Sequence, residues 1–376
     1  MNSIFRRILN SILRRIAAVL RSIRGVLVES AGTTLVHLGR FALSPHECHE
    51  IYSLTNQKYF LTARLRPVRA QDTDPERLFF NEDSVAIVIQ GPVIRAHRFT
   101  LETVLLYKKI FPGSTVIVST WDEEQGSEID RVVEAGADVV LSARPTHAGL
   151  ANHNLQMQSS HAGLFRAQEL GLKYALKTRS DQRLHNPLSV STLKRLLTTF
   201  PLEQSQSTAQ TSRIIFPSFN SFAFLPFHLS DMLQFGKTAD VLNFWDGTFD
   251  QRTAKNLSVH DPNETVLAAV KRRLAEPYFL TRFLEKTGWD YEWTLRNYWE
   301  ACVARFLIVD AGSLDLFWPK YSFREERWKR YDFAVSHQEF DFGFWLRLVD
   351  EIPAIEIFLE QKATDVFRPL GREAVL

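Results

Sequence analysis

The stretch Lys173-Tyr-Ala-Leu-Lys-Thr-Arg-Ser-Asp-Gln-Arg183 decides how this chain is read. Leu172, Tyr174 and Leu176 alternate with Lys173 and Lys177, which is the period of a half-buried strand. The strand ends by presenting Asp181 between Arg179 and Arg183. Strand ends are where an open α/β sheet places its ligand chemistry. A carboxylate there can hold a divalent cation, and flanking guanidiniums can grip phosphate oxygens. That combination suits an enzyme acting on a diphosphate-linked substrate. The alternative is an Arg–Asp–Arg ion-pair cluster on a loop.

Upstream, the pattern is strand, helix, strand. Val85-Ala86-Ile87-Val88-Ile89-Gln90 is an apolar run of the kind buried on both faces of a sheet, and it stops at Gly91-Pro92. Thr100 is placed to cap a helix carrying Leu101, Val104, Leu105 and Ile110, which ends near Phe111-Pro112-Gly113. Thr115–Ser119 reads as the next strand and closes on Trp121-Asp122. A short helix through Ile129, Val132 and Val133 and a third strand at Asp138–Leu141 follow. A helix over roughly 160–170 then feeds the strand to Asp181. Arg213–Phe216 reads as a further strand. Strands alternating with helices predict an α/β fold whose mostly parallel sheet is flanked by helices. The exits at Gln90-Gly91-Pro92, Trp121-Asp122 and Arg179-Ser180-Asp181 then converge on one crevice, with an amide-rich loop at Asn152–Gln156 to close it.

Other chemistries are disfavoured. No Gly-x-Gly-x-x-Gly follows the first strand, so a nicotinamide or flavin dinucleotide is not expected. Gly236-Lys237-Thr238 lacks the earlier glycine of a phosphate loop, since Asp231 stands there, and no Gly-x-Ser-x-Gly turn occurs. His46-Glu47-Cys48-His49-Glu50 lacks the spacing that sets two imidazoles on one helix face. Cys48 and Cys302 are the only cysteines, too few for a disulfide framework or a four-thiolate zinc site, and they suit a reducing cytoplasm.

The formal net charge of +2 hides an asymmetry. Six arginines (Arg6, Arg7, Arg14, Arg15, Arg21 and Arg24) and no acid lie in residues 1–24, so the rest of the chain is net negative. A nucleic-acid binder would spread its cations over the folded body, and no nucleic-acid partner is expected. Ile4, Phe5, Ile8, Leu9, Ile12, Leu13, Ile16, Val19, Leu20 and Ile23 fill one helical face opposite most of these arginines. That composition suits an amphipathic helix on an anionic membrane surface. A transit peptide and a partner-binding helix share the pattern. Arg14 and Arg15 exclude a transmembrane span.

Ile89-Gln90-Gly91-Pro92, Phe111-Pro112, Ser119-Thr120-Trp121, Asn154 with Gln156, Arg179–Arg183, and His228-Leu229-Ser230-Asp231 with Phe235-Gly236 resemble, in order and spacing, the WavE lipopolysaccharide synthesis family. The resemblance covers roughly residues 84–325. It implies a GT-A-like glycosyltransferase that takes a sugar from a nucleotide sugar to a glycolipid or saccharide acceptor. In that fold an Asp-x-Asp at a strand end holds Mg²⁺ or Mn²⁺. Here Arg179 replaces the first acid, which leaves either one-carboxylate metal binding through Asp181 or metal-independent handling of the diphosphate by Arg179 or Arg183. By the same resemblance Gln90, Gly91, Pro92, Asp122, Asn154, Gln156, Arg179, Asp181 and Arg183 form the donor site, although Asp122 could instead cap a helix. A base for the acceptor hydroxyl would be Asp231 or Glu276, both read near helix starts, where acids also occur for the dipole alone. A sugar nucleotidyltransferase and a non-catalytic membrane protein are the competing readings. Trp318–Tyr331 mixes aromatics and cations that suit either an anionic acceptor or a solvated helix face.

The expected organisation is a membrane-surface helix at 1–24, an extension at 25–82, a GT-A-like domain at 83–325 and a helical tail at 326–376. The expected location is cytoplasmic, peripheral on the inner face of the bacterial membrane.

Overall fold

Seven strands form one sheet in the order β3-β2-β1-β4-β7-β6-β8. In chain order the elements are β1 (Val85–Gln90), α1 (Phe99–Ile110), β2 (Thr115–Trp121), α2 (Ser127–Glu134), β3 (Asp138–Ser142), α3 (His153–Glu169), β4 (Tyr174–Arg179), β5 (Arg183–Leu184) and α4 (Ser189–Thr199). Then come β6 (Ile214–Pro217), β7 (Gln234–Lys237), α5 (Thr238–Trp245), α6 (Val266–Arg273), α7 (Ala275–Lys286), α8 (Leu295–Arg305), β8 (Phe306–Val309), β9 (Leu316–Phe317) and α9 (Phe342–Glu351). This computed structural model describes residues 66–73, 83–203, 209–252, 265–319 and 339–351. The helix read at 1–24, the His46–Glu50 cluster and the Lys320–Tyr331 part of the aromatic segment lie outside them.

The expected α/β architecture, a mostly parallel sheet flanked by helices, is the one adopted. β1 pairs in parallel with β2 and with β4, so its apolar run is buried throughout, as a central strand requires. The chain winds outward from β1 through β2 to β3, and α3 returns it to the other side of β1. The strand order therefore reverses between β1 and β4, which is the crevice where open α/β sheets bind ligands. Gly163 lets α3 approach closely: a Cβ there would come 2.5 Å from Val88 and 2.9 Å from Ser119.

Three local expectations are corrected. β4 is not half-buried: Lys177 is as inaccessible as Leu176, because β1 and β7 flank the strand and Trp245 of α5 lies over the lysine. The amide-rich loop is the first turn of α3, which begins at His153 instead of near residue 160. Ala151 and Asn152 take left-handed conformations that turn the chain straight into the helix, so no capping side chain announces it. Thr100 lies inside α1, and its hydroxyl accepts from the Ile94 amide instead of capping the helix.

The second half of the sheet breaks the alternation. β7 runs antiparallel between β4 and β6, and Gly236-Lys237-Thr238 marks its end and the start of α5. α9 buries Trp345 and Leu348, and the Trp345 indole donates to the Cys302 carbonyl of α8.

Candidate active site at the carboxyl ends of β1, β2 and β4

The three strand exits lie side by side. Gln90 is in register with Ser119 of β2 and with Arg179 of β4. The Gly91 amide donates to the Ser119 carbonyl at 3.0 Å, and the Ser180 amide donates to the Gln90 carbonyl at 2.8 Å. Gly91 has φ +114°, and a Cβ there would stand 2.9 Å from Ser180 Oγ, so only glycine fits this crossing. Gln90 is itself buried, with its side-chain oxygen accepting from Ser159 Oγ at 2.8 Å. Pro92 and Asp122 are exposed. Asp122 opens a short 3₁₀ turn after β2 and caps no α-helix. Beside it Arg144 lies over the Trp121 ring and pairs with Glu123.

Arg179 turns back on Asp181. Its Nε donates to Oδ1 at 2.8 Å and Nη2 to Oδ2 at 3.0 Å, a two-pronged ion pair. The buried Trp318 indole donates to the same Oδ2 at 3.0 Å. Both oxygens of Asp181 are thus bonded, and a cation stands where a second carboxylate would be. Among the described residues no three His, Cys, Asp or Glu side chains gather to hold a metal ion. The residues present do not fit the divalent cation implied by the family's fold.

Below this exit, Lys177 is fully buried with its ammonium 4.1 Å from the centre of the Trp245 ring. It donates to the Asp231 carbonyl at 2.6 Å. Burial, reinforced by the Arg179 charge, pushes its pKa down to about 7, against the pull of Asp231 and Asp181. Asp231, 6% exposed, lies in the segment before β7 and not at a helix start, so the helix-dipole explanation does not apply to it. Gln156, in the first turn of α3, donates to Asp231 Oδ2 at 2.8 Å and to its carbonyl at 3.1 Å.

Glu276 does start a helix, as the second residue of α7. Asn220 donates to its Oε1 at 2.7 Å, and His228 Nε2 stands 3.5 Å from Oε2. Burial, with the nearby Asp231 charge adding to it, raises the Glu276 pKa to about 8. The two candidate bases therefore belong to one cluster. Burial of Glu276 favours its protonated form at neutral pH.

A model of the family described as WavE lipopolysaccharide synthesis matches residues 85–353. The chain belongs to that family. The match runs beyond residue 325, the limit read from sequence, and takes in α9. No curated protein matches the chain. Among the solved structures to which the chain is similar, two share 11% identity with it. One is a mannose-1-phosphate geranyltransferase from Thermus thermophilus, with TM-score 0.23, covering 37% of this chain and 44% of that one. The other is a cytidylyltransferase from Leptospira borgpetersenii serovar Hardjo-bovis, with TM-score 0.30, covering 78% of this chain and all of that one.

Two residues of the WavE pattern are held elsewhere. Arg183 is 3% exposed and spends its guanidinium on Thr103 Oγ1 at 2.9 Å, the Phe99 carbonyl at 3.0 Å and the Val68 carbonyl at 3.1 Å. It lies over the Phe99 ring at 4.2 Å, and burial lowers its pKa to about 10. β5 directs it under α1, where it pins the chain and leaves the donor-binding set. Asn154 is fully buried, with its amide zipped to Asp250 by bonds of 2.9 and 2.7 Å to the main-chain oxygen and nitrogen. It clamps the segment after α5 instead of facing a ligand. Trp318, read from the sequence as part of an acceptor-contacting or solvated segment, is instead buried against Asp181, and the sequence reading assigned no part at this site to Lys177, His153 or Asp250. A buried lysine and lone aromatic or histidine residues carry no spacing signal that would single them out.

Proposed function

We propose that this chain transfers a sugar from a nucleotide-sugar donor to a saccharide acceptor in lipopolysaccharide synthesis. The setting of Asp231 carries the reading: Gln156 donates to its carboxylate and Lys177 of β4 donates to its carbonyl. A carboxylate held in place beside the β4 exit is what proton removal from an acceptor hydroxyl needs. The acceptor hydroxyl oxygen attacks the anomeric carbon, and its proton passes to Asp231. The bond from that carbon to the diphosphate breaks, and the leaving group departs with both electrons. Arg179, at the exit of β4, faces the charge that builds on the diphosphate oxygens. Gln90, Gly91, Pro92 and Asp122 border the nucleoside, and Gln156 orients Asp231.

Residues 1–24 hold the enzyme on the anionic cytoplasmic face of the membrane, where nucleotide sugars and lipid-linked acceptors meet. Among the described residues no helix is long and apolar enough to cross a membrane.

A panel of nucleotide sugars tested for thermal stabilisation identifies the donor, since a ligand that binds only the folded chain must raise its stability. Transfer or hydrolysis of the stabilising donor supports the reading. Release of pyrophosphate from a nucleoside triphosphate would replace it with a nucleotidyltransferase. Co-sedimentation with anionic liposomes should be lost on removal of residues 1–24.

A further inference from the structure

The turn after β4 sets Asp181 beside Arg179. The Gln182 amide donates to the Arg179 carbonyl at 3.1 Å and closes that turn. Beyond it the chain is locked: Gln182 and Arg183 are buried, and β5 pairs antiparallel with β9, with Arg183 opposite Phe317. This ladder carries Trp318, the residue after β9, to Asp181. The Trp318 indole is fully buried, its ring centre lies 6.0 Å from that of Phe219, and it donates to Asp181 Oδ2 at 3.0 Å. The carboxylate is therefore anchored by groups other than Arg179.

Arg179 meets this carboxylate through Nε at 2.8 Å and Nη2 at 3.0 Å, with its guanidinium 5.9 Å from the centre of the Trp318 ring. The Arg179 and Asp181 side chains are 23% and 14% exposed, so the pair opens to solvent at the β4 exit, where Arg179 is in register with Gln90. The forked edge of a guanidinium fits a carboxylate and a phosphate alike, since each offers it two oxygens. Asp181 thus occupies, from within the chain, the edge of Arg179 that suits a phosphate group. A ligand that brings phosphate charge alone must break two charge-assisted bonds to regain two of the same kind. The displaced carboxylate keeps the Trp318 donor and is not left without a partner.

We propose that Asp181 is a specificity-determining residue, the resident anion of Arg179, which the diphosphate of a nucleotide ligand displaces and free phosphate or pyrophosphate does not. The assignment rests on the reading of Arg179 as the residue that meets the donor diphosphate. A nucleotide adds contacts at the β1 and β2 exits that a free anion lacks, and those contacts favour the exchange. When the nucleoside diphosphate product leaves, the carboxylate returns to the guanidinium.

Pyrophosphate binding to the full chain, measured by calorimetry in EDTA, tests this. Asp181→Asn keeps the shape of the side chain and an accepting oxygen but removes the charge. It should bind pyrophosphate at least about tenfold more tightly than the wild type, and the gain should vanish in the Arg179→Ala/Asp181→Asn double variant. No gain in Asp181→Asn, or a gain that survives the loss of Arg179, would overturn the proposal. Uridine, cytidine, guanosine and adenosine diphosphates extend the test. If one of them binds the wild type about tenfold more tightly in Mn²⁺ than in EDTA, and Asp181→Asn abolishes that difference, Asp181 is a metal ligand and the proposal fails. If Asp181→Asn does not fold, nitrogen-15 NMR of the wild type decides. The Arg179 Nε–H resonance, assigned by its absence in Arg179→Lys, should shift with the tightest-binding of the four nucleotides and stay in place with pyrophosphate at the same concentration. A resonance that moves with neither, or equally with both, would overturn the proposal. Arg179→Ala with wild-type affinity for all four nucleotides would instead sink the placement of Arg179 at the donor, whereas the pyrophosphate comparison reports on the Arg179–Asp181 pair.

Discussion

The parallel half of the sheet and the mixed half do different work. β3, β2, β1 and β4 supply the strand exits and one cation–carboxylate pair, Arg179 bonded to Asp181 through Nε and Nη2. The segments around β7 and α7 supply the acids, Asp231 and Glu276, the latter with its pKa raised by burial. On the proposed reading the regular half provides a place to bind and the irregular half provides the reactivity. A parallel sheet places loops reproducibly at one edge, whereas burying two acids together needs elements that meet from different directions.

The contrast is sharpest inside the acid cluster. Asp231→Asn should lower transfer at least about a hundredfold at neutral pH, whereas Glu276→Gln, which copies the protonated acid, should stay within about threefold. Equal losses from both, measured in one assay, would break the assignment of the base to Asp231 alone.

On the parallel half, Arg179→Ala should lower kcat/KM for the donor by roughly tenfold to a hundredfold, with Arg179→Lys recovering part of the loss. Addition of a divalent cation should not restore the alanine variant if the guanidinium faces the diphosphate. Four residues on, Arg183→Met should leave the donor KM unchanged and cost about 2 kcal/mol of stability, read from denaturant midpoints, because buried carbonyls lose their donor.

The smallest effect is on stability against pH. Folding raises the Glu276 pKa, so the folded chain keeps a proton that the unfolded chain has released. The stabilisation from this group is complete below about pH 4.5 and is lost as pH climbs through about 8. Folding depresses the Lys177 pKa from 10.5 to about 7, so there the unfolded chain holds the extra proton and stability recovers between those values. Melting temperature should pass through a shallow minimum near about pH 7–8. Glu276→Gln should flatten the falling limb and Lys177→Met the rising one.

Much of the parallel half was legible in the sequence. A strand buried on both faces must be apolar throughout, so Val85–Gln90 announces itself, as does the Thr115 strand; the Asp138 strand shows as a short apolar run although it lies at the sheet edge and is only partly buried. The motif at Arg179-Ser180-Asp181 does sit at a strand exit beside Gln90. β7, by contrast, is four residues long and inserted antiparallel, with too few positions to show a period. The roles of Arg183 and Asn154 were illegible for a different reason. An arginine or an asparagine reads the same whether it faces a ligand or spends every donor on nearby carbonyls.

By itself the sequence determined the α/β alternation, the strand exits and the family, because burial periodicity and motif order are local properties of the chain. Only the tertiary structure decided that Asp231 and Glu276 share one cluster, that Lys177 is buried beneath Asp231, and that His153 pairs with Asp250. Those outcomes depend on desolvation and on charges brought together from positions up to about a hundred residues apart, and no local pattern records either.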